Sequence, residues 1–282
     1  MTVLNDSPKV RSVSNVNFLA RHPLSSFFIL AILITWLLSL PSMLFELPFK
    51  PFQTAGAYGP FLSAFIVSIA MGRTELRSLA SRMTNFRFGF RWYLAAIFGN
   101  LLIYLLVAGL AGAPLMASLA EKWTLIFTFY LPALFTSFLV NPIGEETGWT
   151  GFALPHLQER FRPWLAAVIL GVIWAVWHLP AYFVPSEMGA FNPVNFIFFV
   201  LSCIFIRIVW TWVTNNAHGS GIAGILLHAS SNAVSLALIP GLLPTPTPDE
   251  LAVSGLLLLG IMFILSVVLL LFTRGQLSYK ER

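Results

Sequence analysis

Apolar runs separated by short polar stretches recur along this chain from residue 25 to residue 273. A membrane-spanning helix needs about 20 apolar residues. Eight runs reach or approach that length, at 25–47, 55–72, 92–112, 123–143, 164–184, 194–214, 219–239 and 251–273. Between the second and third runs, Leu76, Leu79, Met83 and Phe86 recur at helical spacing with arginines between them. That pattern predicts a short helix over 74–86, lying in the membrane interface. The stretch 154–161 has a similar look. Residues 244–248, Pro-Thr-Pro-Thr-Pro, predict a stiff outer loop. No internal repeat of the kind many transporters carry is visible. The expected fold is an all-α polytopic membrane helical bundle of about eight transmembrane helices.

The basic residues test that count. With the N-terminus inside, 13 of the 16 Lys and Arg residues fall on cytoplasmic pieces, and the outer loops hold Lys50 and Lys122. Arg207 is the one basic residue inside a span. This asymmetry follows the positive-inside rule and places both termini in the cytoplasm. No polar linker divides the chain, so one transmembrane domain over 23–274 is expected, with tails at 1–22 and 275–282. The polar, basic N-terminus shows no cleavage site behind a short apolar core, so it reads as a tail.

Composition narrows the picture further. Hydrophobic residues make up 57% of the chain and charged residues 10%, against about 25% charged in a soluble domain. The net charge of +5 is distributed over loops, not massed in a patch, so nucleic acid is no expected partner. The expected partners are the lipid bilayer and a membrane-associated peptide or protein, and the expected location is the cell membrane, multi-pass. A single cysteine, Cys203, excludes an internal disulfide and a cysteine metal cluster; it reads as a packing residue.

Against this background the polar residues near or inside spans stand out. Glu145 and Glu146 are adjacent, at the end of the fourth run. A charged carboxylate at membrane depth costs roughly 2.5–3.5 kcal/mol on insertion scales, so such a residue faces a cavity or a partner. Gly144 and Gly148 are four apart and offer a small face for close helix approach. In the fifth run Gly171, Trp174 and His178 share a helical face. In the seventh, Gly221, Gly224, His228 and Asn232 do the same. Either histidine taken alone fits a hydrogen-bonded core residue as readily as a functional one. Three polar groups on three helices favour a common cavity.

The ordered motifs resemble the CPBP intramembrane proteases, which include CAAX prenyl endopeptidases and bacteriocin-processing or immunity proteins. That family carries Glu-Glu-x-x-x-Arg, then aromatic-x-x-x-His, then His-x-x-x-Asn. Here the matching residues are Glu145 and Glu146, Trp174 and His178, and His228 and Asn232, over roughly residues 120–240. The family's Arg position holds Thr150. That Arg is thought to steady the second Glu, and Arg207 is the candidate substitute, with snorkelling toward the cytoplasm as the alternative.

The resemblance and the chemistry together suggest roles. Peptide hydrolysis needs an activated water and a stabilised oxyanion. Glu145 suits the general base, and His178 suits positioning of the water. His228 and Asn232 suit oxyanion donors, and Glu146 completes the set. The cofactor stays unassigned: two His and one Glu are also the ligand set of catalytic zinc in other proteases, so a divalent metal such as Zn2+ is compatible. There is no His-Glu-x-x-His, and the aspartates, Asp6 and Asp249, lie outside the spans. Ser220 reads as an N-cap. Two other functions stay open: a non-catalytic immunity-type membrane protein, which Thr150 favours, and a proton-coupled transporter.

The span limits raise one conflict. At 1.5 Å per residue, His178 lies about 20 Å and His228 about 13 Å from the inner surface, where Glu145 sits. The three meet if the fourth helix continues beyond its apolar run.

Overall fold

The computed structural model describes residues 17–45, 47–184, 191–242 and 247–280. Among them the regular structure is helical, without strands. The helices in order are α1 (Pro23–Phe45), α2 (Phe49–Met71), α3 (Arg73–Met83), α4 (Phe90–Ala111), α5 (Ala113–Glu121), α6 (Ile126–Phe138), α7 (Asn141–Gln158), α8 (Pro163–Phe183), α9 (Pro193–Asn216), α10 (Gly221–Leu242) and α11 (Asp249–Phe272). Seven of these are long and apolar enough to cross a membrane, and α6 with α7 forms an eighth candidate bent by 51°. The chain is thus a multi-pass helical membrane protein. The short helix α3 overlaps the expected 74–86 stretch, starting one residue earlier and ending at Met83. Of the proline-rich stretch, residues 244–246 lie outside the described residues, as do residues 1–16 of the expected N-terminal tail.

Local chemistry sets the helix starts. The Asn192 side chain accepts from the amides of Val194 and Asn195 to open α9. Ser220 accepts from the Ala223 amide to open α10, the N-cap its sequence suggested. Thr247 and Glu250 form a reciprocal capping box at the start of α11, satisfying two otherwise orphaned amides.

The fourth span departs most from its apolar pattern. Its helix stops at Phe138 and restarts at Asn141. Pro142 explains the interruption. It has no amide to donate to the carbonyl four residues back, and its ring clashes with that carbonyl. After the break α7 runs on to Gln158, past the expected end at 143, as the motif geometry required. Within α7 the turn Trp149–Ala153 widens to π-helical bonding. The 154–161 stretch is therefore not a surface helix at its start: Leu154, His156 and Leu157 are buried as the end of α7.

Gly144 and Gly148 let α2 cross α7 at backbone distance. A Cβ on Gly144 would lie 2.6 Å from the Ala57 carbonyl oxygen, and one on Gly148 would lie 2.7 Å from that of Pro60. No side chain larger than hydrogen fits at either crossing. α10 is the central span, with 61% of its apolar window buried, whereas α11 is peripheral, with 11%. Asn100 on α4 donates to the Leu227 carbonyl at 2.8 Å, and Ser230 donates to the Ile97 carbonyl at 2.8 Å. These bonds lock α10 against α4 in a setting where no water competes. Cys203 is buried and unpaired in the core.

The C-terminal residues 275–280 do not extend away. Leu277 is fully buried against Ala167 and Ile208, and its carbonyl accepts from Asn215 Nδ2 at 3.0 Å. The return uses left-handed backbone at Arg274, Gly275, Leu277 and Ser278.

Candidate active site

The Glu pair sits in the α-helical first half of α7, and its two members meet different surroundings. Glu146 is completely buried. Arg207 of α9 reaches it in a bidentate grip, Nη1 to Oε2 at 2.8 Å and Nη2 to Oε1 at 2.8 Å. The Thr150 hydroxyl, one helical turn on, donates to Oε2. His228 of α10 adds a bond from Nδ1 to Oε1 at 3.0 Å. A carboxylate offers about four lone-pair sites, and four donors occupy them. The pairing suggested for Arg207 is thus present, and Thr150 contributes a hydroxyl where the family motif has Arg. Gly224 of α10 permits this: a Cβ there would lie 2.8 Å from the Thr150 hydroxyl oxygen.

Arg207 is nearly inaccessible. Its guanidinium lies 4.3 Å from the Trp174 ring centre and 5.3 Å from that of Trp210, so two indole faces supply cation–π attraction in place of water. Trp210 was not singled out from the sequence. The available signal was its position three residues after Arg207, which puts both on one helical face.

Glu145 is also buried, at 5% exposure, but it receives one hydrogen bond, from Trp174 Nε1 to Oε2 at 2.9 Å. Its other lone pairs are uncommitted among the described residues. His178 stands one turn beyond Trp174, at the end of the α-helical part of α8. Its Nδ1 lies 2.8 Å from the Trp174 carbonyl oxygen. A carbonyl only accepts, so Nδ1 carries the proton and Nε2 presents a lone pair. Trp174 is the hub: its ring is 5.1 Å from His178 and 5.7 Å from His228. The bent α7 therefore brings Glu145, Glu146, His178 and His228 around one tryptophan.

Asn232 is placed differently. It lies one turn beyond His228 on α10, half-buried, with no hydrogen bond among the described residues. It lines a separate cavity of about 260 Å³ with Thr136, Ser137 and Val140, beside the break between α6 and α7.

On the other side of Thr150 opens a larger cavity, about 1060 Å³. Arg77, Arg82, Gln158, Asn215 and Lys280 are among its walls. It lies where the basic loops gather. Arg82 anchors this floor to α3, donating from Nε to the Gly151 carbonyl at 2.7 Å and pairing with Glu75 at 2.6 Å.

The residues do not suit a metal. Among the described residues no three His, Cys, Asp or Glu side chains converge on a common point. Glu146, the acid nearest His228, already has its lone pairs filled by Arg207, Thr150 and His228.

Comparison with known proteins agrees with the motifs. A family model described as type II CAAX prenyl endopeptidase Rce1-like matches residues 127–234, a stretch containing all six motif residues. A CAAX prenyl protease 2 from Methanococcus maripaludis is 26% identical over 182 residues, covering 61% of this chain and 67% of that protein. In the order and spacing of its three motifs, and in these matches across the same stretch, the chain is similar to the CPBP intramembrane proteases.

Proposed function

We propose that this protein is an intramembrane endopeptidase that hydrolyses a peptide bond of a membrane-associated peptide or CaaX-like tail. The contrast between its two glutamates carries the reading: Glu146 is saturated by donors, while Glu145 is buried with open lone pairs, bonded to the same Trp174 that orients His178. Glu145 takes the role of general base, and His178 Nε2 accepts a hydrogen bond that orients the attacking water. The water oxygen bonds to the carbonyl carbon, and Glu145 takes the proton. The C–N bond then breaks, and Glu145 returns that proton to the leaving amine.

The resemblance assigns the developing oxyanion to His228 and to Asn232, one turn further along α10 on the neighbouring cavity. The His228 bond to Glu146 constrains that role. With Nδ1–H committed to the carboxylate, a neutral ring offers a lone pair at Nε2. Donation to the oxyanion therefore belongs to the doubly protonated ring, whose charge Glu146 faces. Glu146, Arg207 and Thr150 position His228 and do not touch the reacting atoms. No step is assigned to a metal.

Purified protein is tested against a panel of membrane-tethered peptides, with and without chelator, beside Glu145→Ala. Cleavage that survives chelator and disappears in the variant supports the reading. A membrane phenotype that persists in Glu145→Ala, without cleavage, supports the immunity-type binding protein, the reading that Thr150 favours.

A further inference from the structure

The large cavity beyond Thr150 has a charge imbalance that the hydrolytic machinery does not use. Its walls carry three cations, Arg77, Arg82 and Lys280, against one anion, Glu159. Arg82 is committed to Glu75 and the Gly151 carbonyl. Arg77 and Lys280 make no ion pair or hydrogen bond among the described residues. Among the described residues two uncompensated cations therefore face one cavity, and Thr150 in its wall is one hydrogen bond from Glu146.

The placement of Lys280 is built, not incidental. Arg274, Leu277 and Ser278 adopt positive φ of 51°, 45° and 58°, each at a steric cost for a residue with a Cβ. Leu277 offsets that cost by filling a core site. The outcome is that residues 279 and 280 arrive at the cavity wall. The Asn85, Gln158 and Asn215 carboxamides in the lining bond to one another or to backbone, and Ser78, Ser81 and Thr214 offer hydroxyls that donate and accept.

We infer that this cavity is a specificity pocket for the free carboxylate end of the peptide, held by Arg77 and Lys280. The inference rests on the endopeptidase reading for the nature of the ligand. A lipid headgroup offers similar anionic chemistry. It would meet the rim of the cavity and leave the hydroxyl-bearing wall unused.

The test compares two membrane-tethered fluorescent peptides, identical but for a free or an amidated C-terminus. Binding to the full chain is measured in nanodiscs of zwitterionic phosphatidylcholine and of anionic phosphatidylglycerol, and cleavage is followed in parallel. The free acid should bind about tenfold more tightly than the amide, the scale of one charge-assisted contact. Arg77→Gln with Lys280→Gln should reduce that preference to less than about twofold, and Arg77→Lys with native Lys280 should retain it. Equal binding of acid and amide by the unaltered protein overturns the pocket, even if both are cleaved. So does an affinity that follows lipid charge and ignores the peptide terminus. Acid-selective binding without cleavage of either peptide leaves the pocket standing and removes the endopeptidase reading.

Discussion

Glu145 and Glu146 share a residue type, a helix and a depth of burial, yet the protein treats them oppositely. Around Glu146 stand a guanidinium, a hydroxyl and an imidazole, each aimed at a lone pair. Around Glu145 stands one indole N–H. Adjacent residues on a helix point about 100° apart, and that angle separates the two environments. A carboxylate whose lone pairs are filled has little capacity to accept a proton. One held at a single point keeps that capacity. Burial alone does not mark a reactive acid; the number of donors aimed at it does.

The sharpest way to break this comparison is to remove each acid's environment in turn. Glu145→Ala should lower cleavage by about 10²–10⁴-fold, the usual range for a positioned general base, while leaving thermal unfolding in detergent near the parent value. A large loss of stability together with activity would erase the distinction. Arg207→Leu should act the other way round. Deleting one partner of a buried pair costs about 3–5 kcal/mol because the remaining charge is stranded, so the unfolding midpoint should fall sharply. Combining it with Thr150→Arg, the family's own residue, should recover part of that loss. A stable, active Arg207→Leu protein would show the pair to be ornamental.

Asn232→Ala tests the member placed apart from the others. Loss of one oxyanion donor is worth about 10²–10³ in rate, so kcat should fall with KM little changed. An unchanged kcat would confine Asn232 to the small cavity by the helix break. The smallest effect is expected from Trp174→Phe, which keeps the ring but removes the N–H. A hydrogen bond to a charged group is worth about 1.5–3 kcal/mol, and Glu145 would lose its one anchor. Activity should drop by roughly tenfold, with the ring contacts to Arg207 preserved.

Much of the site was legible because polar groups inside apolar runs are conspicuous. Glu145, Glu146, His178, His228 and Asn232 each interrupt a hydrophobic pattern, and Arg207 is the lone cation within a span. Gly144 and Gly148 announced a close crossing by their spacing. Pro142 permitted the break that lets α7 continue inward. Trp210 stayed hidden because tryptophan in a membrane helix ordinarily signals packing; its role follows from the cation beside it. The surroundings of Asn232 were not legible either, since they depend on where α6 stops. The return of residues 275–280 was invisible for a different reason. Gly275 alone does not advertise left-handed backbone at Arg274, Leu277 and Ser278, and burial of Leu277 by tertiary packing accompanies it.

The wide turn at Trp149–Ala153 acts as a phase adjuster. A π turn takes in one more residue than an α turn, so everything after it is rotated by about 100° relative to a regular helix. That offset turns Leu154 and Leu157 into the core, and within the turn Gly151 offers its carbonyl to Arg82. Deleting any single residue from this turn would leave composition and hydropathy almost untouched. It would nonetheless swing Leu154 and Leu157 out of the core, and a scan of apolar content along the chain would register no change.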